Sequence, residues 1–268
     1  MNKKLVVILS FIIIFVSILS IINLTNMSPE NDDRTLVIGI DAEFPPYDYM
    51  DESGEYIGFD LDLAQEVCDR NNWTLVKQPI DWETKNSELN SGSIDCIWSG
   101  FSMNGREDKY TWSKPYVNNK QVIVVKKHSG IKTFANLKGK DVEVQKDSSS
   151  LAALKMNKKL TRSFNKLTEI ANDNTLFMDL ESGACNAIAM DMGVALYQIH
   201  TKSNAGDYMI LKKSISSEQY GIGFKKGNTK LRDKVQATLD EMYKDGTVDR
   251  IAAKYKDYGV PESLIKHY

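Results

Sequence analysis

The chain has 268 residues, which is enough for one large domain or two of moderate size. Its 34 lysines and arginines nearly balance its 36 aspartates and glutamates. The basic residues are scattered and form no recognition-helix pattern, so nucleic acid is not expected as a partner.

The N-terminal segment is apolar and is typical of a sequence that inserts into a membrane. Lys3 and Lys4 precede an uninterrupted uncharged run, Leu5–Ile22, whose length approaches that of a membrane-spanning helix. The sequence therefore predicts a signal or anchor segment with a polar tether over residues 1–34. The flanking lysines favour a cytoplasmic N-terminus, which places the rest of the chain on the extracytoplasmic face of the cell membrane. Retention as an anchor is favoured, and cleavage followed by secretion stays open.

The three cysteines, Cys68, Cys96 and Cys185, have no metal-ligand spacing. Cys68 and Cys96 fall on apolar positions of a predicted helix and strand, so we expect small buried side chains. A disulfide between these two remains an alternative. We expect no metal and no cofactor.

The first predicted elements form a strand, a turn and a helix. Thr35–Ile40 reads as a strand ending at Asp41, and Pro45-Pro46 then excludes a helix. A helix follows from Gly58, with Asp60 as its expected N-cap and an apolar face on one side. Further strands are predicted at residues 74–78 and 93–98, and a short helix at 84–91.

The second half continues the alternation of strands and helices. Strands are predicted at residues 121–126, 141–144, 186–190 and 220–224, and helices at 148–156, 172–181, 231–242 and 247–255. This alternation predicts an α/β fold with a largely parallel sheet and helices on both faces.

The segment Ser99–Arg106 follows the predicted strand at residues 93–98. It places hydroxyl side chains and one arginine at the carboxyl end of that strand. The guanidinium of Arg106 offers a planar fork of N–H donors that suits a carboxylate. The segment indicates a small ligand that carries a carboxylate, with a surface ion pair of Arg106 as the alternative.

Several blocks in order resemble one family, the polar amino-acid substrate-binding proteins of ABC importers, which belong to the bacterial extracellular solute-binding proteins of family 3. The resemblance implies a periplasmic-binding-protein-like type 2 fold with two lobes that close on the ligand. Lobe 1 would comprise residues 35–118 and 221–268 and lobe 2 residues 119–220, joined by strands near 119–124 and 218–222. The matching blocks are Gly58–Leu63, Gly100–Ser102 with Arg106, Trp112–Tyr116, Val144–Ser149, Met190-Asp191 and Tyr220–Gly227.

The resemblance also implies which residues hold the ligand's α-carboxylate. Arg106 would bind it from lobe 1, together with the Gly100 N–H and the Ser102 hydroxyl. Ser148 and Ser149, at the start of a helix, would hold it from lobe 2. The block before Arg106 is one residue shorter than the family pattern, and Gly105 can absorb the shortening. The family often has glycine at the position of Asp147.

Other matched positions concern the ammonium group and the side chain of the ligand. Asp191 would pair with the α-ammonium group, its alternative being an N-cap of the next helix. Phe44 and Trp82 would enclose the ligand side chain, and Asp41 would contact its polar tip. The acidic groups favour a cationic or amide-bearing side chain.

The resemblance implies an extracytoplasmic binding protein that delivers a polar L-amino acid to an ABC permease and its ATPase subunits. The chain has no Gly-Lys-Ser/Thr phosphate loop of its own, and we do not expect an enzyme. Two alternatives remain: a membrane-tethered amino-acid sensor, or a dehydratase-like enzyme on the same scaffold. Such an enzyme needs a general acid or base, for which Glu43 and Glu83 are the candidates.

Overall fold

The structure, a computed structural model, describes residues 34–267 as strands and helices in alternation. The strands are β1 Thr35–Ile40, β2 Glu43–Phe44, β3 Asp48–Met50, β4 Tyr56–Ile57, β5 Thr74–Pro79, β6 Cys96–Ile97, β7 Thr111–Trp112, β8 Val117–Lys126, β9 Asp141–Gln145, β10 Lys166–Ile170, β11 Ala187–Asp191, β12 Tyr208–Ile210, β13 Ser216–Tyr220 and β14 Gly223–Phe224. The α-helices are α1 Phe59–Asn71, α2 Lys85–Ser91, α3 Ser149–Met156, α4 Lys158–Thr161, α5 Asp173–Ser182, α6 Met192–His200, α7 Thr229–Lys244, α8 Thr247–Ala253 and α9 Val260–Ser263.

The first sheet has the strand order β5-β1-β6-β14-β7. Strand β1 runs parallel to β5 and β6, whereas β14 runs antiparallel to β6 and β7. Leu36, Ile38 and Ile40 of β1 are fully buried, and α1 buries its predicted apolar face, which includes Leu61 and Val67. We call the part of the molecule built on this sheet the first lobe.

The second sheet has the order β10-β9-β11-β8-β12, with β13 added to β8. Strand β9 is parallel to β10 and β11, and β8 is antiparallel to β11, β12 and β13. Its core packs Ile123 and Val125 against Val144 and Leu154. We call the part built on this sheet the second lobe.

The chain passes between the two sheets along two paired strands. It leaves the first sheet at β7 and enters β8, and it returns from β13 to β14. The register pairs Tyr220 with Val117 and Ser216 with Gln121. The predicted strand at residues 220–224 is therefore divided between β13 and β14, because the chain changes sheets at Gly221. A Cβ at Gly221 would lie 2.7 Å from Met103 Sδ, so a larger residue here would require the flexible Met103 side chain to move.

Three further expectations have definite outcomes. Both main sheets are mixed, so the prediction of a largely parallel sheet is wrong, since the chain returns to each sheet in the opposite direction. Asp60 is not the N-cap of α1, because the cap is Gly58 with φ 144°. Cys68, Cys96 and Cys185 are buried free thiols, which confirms the interpretation of Cys68 and Cys96 as small buried side chains. Cys68 and Cys96 form no disulfide.

The predicted membrane segment, Leu5–Ile22, lies outside the described residues. Within residues 34–267, no helix is both long enough and apolar enough to cross a bilayer.

Candidate functional site

A narrow cleft with a cavity volume of about 20 Å³ lies where the strand ends of the two sheets face each other. The carboxyl ends of parallel strands are where α/β sheets commonly bind ligands. The first lobe contributes loops after β1 and β6, and the second lobe contributes the ends of β9 and β11 and the start of α3. The lining residues are Asp41, Phe44, Trp82, Ser99, Gly100, Ser102, Gln145, Ser148, Ser149 and Asp191.

Eight of the nine predicted ligand-binding residues thus line one cleft, and the ninth, Arg106, lies directly behind the lining. Its guanidinium donates from Nη1 to the carbonyl of Ser102 at 3.1 Å and to Ser149 Oγ at 3.0 Å. It also donates from Nη2 to the carbonyl of Asp147 at 3.3 Å and stacks 5.1 Å from the ring centre of Phe101. Arg106 therefore bridges the two lobes.

The shortened segment before Arg106 folds as a turn. The Arg106 N–H donates to the carbonyl of Met103 at 2.9 Å, and Gly105 adopts φ 75°. This left-handed conformation costs glycine little, whereas a residue with a Cβ would be strained. The turn at Gly105 is the conformation that the predicted shortening needs.

Asp41 follows β1 and is held by contacts from both lobes. Its N–H donates to Ser99 Oγ at 2.9 Å, and its carboxylate accepts from Gln145 Nε2 of the second lobe at 2.8 Å. Burial raises the pKa of Asp41, and the bonds from Gln145 and the Glu43 N–H oppose that shift. Gln145 was not predicted as a site residue, although it ends a buried strand.

Phe44 and Trp82 form the aromatic walls of the cleft. Phe44 is buried, and a Cβ at Gly100 would collide with its ring, so the close approach of loop and ring depends on glycine. Gly100 itself adopts φ 48°. Trp82 is half-buried and packs edge-on against Phe101.

The donor groups of Gly100 and Ser102 are already engaged within the protein. The Gly100 N–H donates to Asp60 Oδ2 at 2.6 Å, and the Ser102 hydroxyl donates to Glu218 Oε1 at 2.7 Å. This differs from the expectation that both groups face the ligand carboxylate. Asp60, which also accepts from Tyr116 at 2.8 Å, therefore fixes the loop instead of capping α1. Burial raises the pKa of Asp60 to about 7.

The second lobe approaches Arg106 through the start of α3. Ser148 is the N-cap of this helix, and its Oγ accepts from the Leu151 N–H at 3.1 Å. Asp147 has φ 50°, and its carboxylate forms an ion pair with Lys85 of the first lobe. Lys85 is only 1% exposed and also donates to the carbonyl of Trp82 at 2.8 Å. We call Arg106, Ser102, Asp147, Ser149 and Lys85 the arginine end of the cleft.

Asp191 ends β11 and is almost completely buried. It occupies the N-cap position of α6, as the alternative interpretation expected, but its side chain makes no capping hydrogen bond. Its Oδ1 instead accepts from Asn119 Nδ2 at 2.5 Å, from Gln121 Nε2 at 2.7 Å and from the Tyr220 hydroxyl. Burial raises the pKa of Asp191 to about 8, and the charge of Glu218 adds to the shift. We call Asp191, Glu218, Asn119, Gln121 and Tyr220 the acidic end.

Sequence reasoning did not place the partners of Asp191 in the site. Asn119 and Gln121 are spaced two apart in β8, so both point to the same side of a strand that becomes apolar further on. Two amide side chains on the same side of one strand could have indicated a polar cluster at this position. Lys85 carried no such signal, because its burial depends on Trp82 and on Asp147 of the other lobe.

Comparison with known proteins decides the family. The bacterial extracellular solute-binding proteins of family 3 match residues 36–258. The chain belongs to this family. Its fold is accordingly the two-lobed α/β fold of periplasmic binding proteins, as the sequence predicted.

Individual relatives agree with this assignment. The chain is 29% identical to the lysine/arginine/ornithine-binding periplasmic protein of Escherichia coli, over 85% of this chain and 89% of that protein. It is 32% identical, with a TM-score of 0.81, to an ABC uptake transporter substrate-binding protein from Streptococcus pneumoniae with bound histidine, covering 86% and 95% of the two chains. An ancestral amino-acid-binding protein described as a precursor of cyclohexadienyl dehydratase is 29% identical, with a TM-score of 0.74, over 82% and 95%.

Proposed function

We propose that this protein is the extracytoplasmic substrate-binding protein of an ABC importer and that it binds a polar L-amino acid between its two lobes. The observation that carries the proposal is the opposite charge of the two ends of one cleft. Arg106 lies at one end without a carboxylate partner among residues 34–267, and the carboxylate of Asp191 lies at the other. An α-amino acid carries both complementary charges on one carbon atom.

The side chain of the ligand is proposed to lie between Phe44 and Trp82 and to reach Asp41. Asp41, Glu43 and the nearby Asp173 make this part of the cleft acidic, and an opposite charge is the natural complement of buried carboxylates. We therefore expect a cationic side chain to be preferred over a neutral amide. The lysine, arginine and ornithine relative and the histidine-bound structure are consistent with this preference.

Closure is proposed to occur around β8 and β13, with lobe 1 at residues 35–118 and 221–268 and lobe 2 at 119–220. Support for these boundaries comes from the two passages of the chain between the sheets. A ligand that contacts both lobes favours the closed state by the difference in its affinity for the two states. The closed form would then be recognised by an ABC permease with its ATPase subunits.

The apolar run Leu5–Ile22 after Lys3 and Lys4 supports attachment to the membrane by the N-terminal segment. Fractionation of cells that express the full chain tests this part separately. Recovery of the protein in the membrane fraction after a high-salt wash is expected, and a soluble, shortened product would contradict anchoring.

Binding without chemistry is proposed for this site. The enzyme alternative draws on the likeness to a precursor of a dehydratase. Its candidate acids do not line the cleft: Glu43 is half-buried beside Asp41, and Glu83 is exposed and lies 3.7 Å from Lys146. A general acid or base must reach the reacting atoms, and neither carboxylate is among the residues that line the cleft.

A thermal-shift screen with the common L-amino acids and L-cystine, followed by titration calorimetry, tests the proposal. We expect L-arginine or L-lysine to give the largest stabilisation. Agmatine, which is arginine without its carboxylate, should bind far more weakly. No stabilisation by any amino acid would overturn the receptor function, and loss of the ligand by mass spectrometry after prolonged incubation would support the enzyme instead.

A further inference from the structure

Two buried carboxylates at the acidic end share the same pair of amide donors. Asn119 Nδ2 donates to Asp191 Oδ1 at 2.5 Å and to Glu218 Oε1 at 2.8 Å. Gln121 Nε2 donates to the same two oxygens at 2.7 Å and 2.6 Å. Each amide thus uses one N–H for each carboxylate, and the two acceptor oxygens are held next to one another.

The amide of Gln121 has only one orientation that fits this arrangement. Its Oε1 accepts from the Ser150 hydroxyl, which turns Nε2 toward the two carboxylates. The other donors to the pair are also neutral, namely Ser102 to Glu218 and Tyr220 to Asp191. Among the hydrogen bonds and ion pairs of residues 34–267, no lysine or arginine reaches either carboxylate.

Acidic and phenolic groups face the pair from the surrounding elements, and the nearest cation named by a shared contact is Arg106, which donates to the carbonyl of Ser102 and not to either carboxylate. Tyr220 faces Asp191 from β13, and Tyr47 packs edge-on against Tyr220. Asp173 approaches from α5, where burial and then the charge of Asp191 raise its pKa. Desolvation and then the charge of Glu218 raise the pKa of Asp191, because burial and a neighbouring carboxylate both oppose its ionisation.

We propose that Glu218 is a second carboxyl group of the ligand's ammonium site and that it shares one proton with Asp191 in the ligand-free protein. The incoming ammonium group displaces this proton, which passes to solvent, and the pair then carries both negative charges against one cation. This inference rests on the proposed function for its ligand. It makes binding proton-linked and makes Glu218 a determinant of specificity for a charged amine over a neutral one.

The proton of the free protein can be observed without any ligand. At pH 7 the infrared carbonyl band of protonated carboxyl groups should be weaker in Glu218→Gln than in wild type, by the intensity of one carboxyl group. The reason is that Asp191 ionises when Glu218 is absent. The exposed Glu55→Gln variant is the matched control and should retain the full band. An unchanged band in a folded Glu218→Gln protein would overturn the shared proton, whatever the ligand proves to be.

Calorimetry with L-arginine at pH 7 in phosphate and in Tris tests the release step. The side chain of L-arginine does not titrate near this pH, so the buffer dependence of the heat counts protons from the protein. We expect about one proton released per ligand for wild type and close to none for Glu218→Gln. The wild-type Kd should fall by up to about tenfold per pH unit between pH 6 and 7.5, and that of Glu218→Gln should stay constant.

The outcomes separate this inference from the proposed function. Binding of L-arginine by wild type with no buffer dependence would overturn the proton-linked role of Glu218 and leave the receptor function standing. Failure of every L-amino acid in the screen to bind would overturn the receptor function, while the infrared measurement still decides the shared proton. Should Glu218→Gln not fold, the wild-type titrations in the two buffers decide the inference alone.

Discussion

The two ends of the cleft are built in opposite ways. The acidic end consists of buried side chains on strands, and Asp191 and Glu218 each accept three hydrogen bonds there. The arginine end consists of loop residues and the first residues of α2 and α3, and the guanidinium of half-buried Arg106 donates only to carbonyl and hydroxyl oxygens from both lobes. We therefore expect the acidic end to be fixed before a ligand arrives and the arginine end to form when the lobes approach each other.

This difference separates two tasks that a binding protein must perform. A rigid buried network with neutral donors selects the charge of the ligand, because it leaves a negative charge without a cation. A contact between loops of two lobes reports whether the lobes are closed. Changes at the acidic end should alter pH dependence and stability, and changes at the arginine end should alter affinity and closure.

The largest expected effect is that of Arg106→Ala on ligand affinity. Removing the guanidinium leaves the ligand carboxylate without its charged partner, which should cost more than about 2 kcal/mol, or roughly thirtyfold in Kd. Titration calorimetry with the best ligand of the screen measures it. Agmatine should bind wild type and variant with similar weak affinity, since it has no carboxylate to lose.

The exposed Arg162→Ala variant is the control for a general effect of removing an arginine, and its affinity should equal that of wild type. An undiminished affinity of Arg106→Ala would show that the carboxylate is bound elsewhere. The arginine end would then not be the cationic end of the ligand site.

The next largest effect concerns stability at the acidic end. The folded-state pKa of Asp191 is raised to about 8, mainly by burial, above its ordinary value. The stability that the protonated group supplies is complete below its unfolded-state pKa and is lost as pH rises toward 8. Asp191→Asn lacks this ionisation, so the ligand-free variant should gain stability relative to wild type as pH rises from 6 to 8, by up to about 2 kcal/mol.

Urea unfolding of the ligand-free proteins at pH 6, 7 and 8 measures this difference. Exposed Asp257→Asn is the control and should show no comparable trend. A difference between Asp191→Asn and wild type that does not grow with pH would mean that Asp191 is ionised throughout, and the acidic end would not be short of a cation.

The contrast between the ends also explains what the sequence could predict. Strand β1 and helix α1 follow from periodicity, and the positions of Asp41 and Asp191 follow from strand ends. The direction of β14 could not be predicted in this way, because it depends on which sheet the chain joins after Gly221. The local sequence pattern predicts individual strands and helices, but it says little about which distant strands pair with one another.

The same limit applies within the site. Arg106, Ser148 and Ser149 belong to short blocks whose spacing is visible in one stretch of chain. Glu218 and Asn119 meet only because β13 pairs with β8 across a separation of 99 positions. The engagement of the Gly100 N–H by Asp60 is likewise set by tertiary contact, which is why its expected role differed from the observed one.

A smaller effect is expected from crowding the acidic end with Gly193→Ala. A Cβ at Gly193, in the first turn of α6, would lie 2.6 Å from the Tyr47 hydroxyl of the first lobe. Tyr47 is buried and stacks on Phe44, so it has little room to retreat. We expect a loss of about 1–2 kcal/mol in ligand affinity from hindered closure, measured by calorimetry.

The variant should not lose helix stability, because alanine is a better helix former than glycine. Gly206→Ala is the matched control, since a Cβ there meets nothing within 4 Å. Equal affinities of Gly193→Ala and wild type would indicate that the lobes bind the ligand without approaching as closely at this end.

The smallest effect is expected at the arginine end, from the ion pair between Lys85 and Asp147. The Asp147 side chain is 54% exposed and is partly screened by solvent, whereas Lys85 is 1% exposed, so the loss of the pair should cost about 1 kcal/mol. Asp147→Asn removes the charge and tolerates the positive φ, whereas Asp147→Gly also relieves backbone strain. Both variants should shift the ligand-free protein toward open forms, seen as a larger radius of gyration by small-angle scattering. The ligand should restore closure through Arg106 and Ser149, so ligand-bound wild type and variants should have equal radii of gyration. A larger radius in the ligand-bound variants would mean that the Lys85–Asp147 pair, and not the ligand, holds the lobes together.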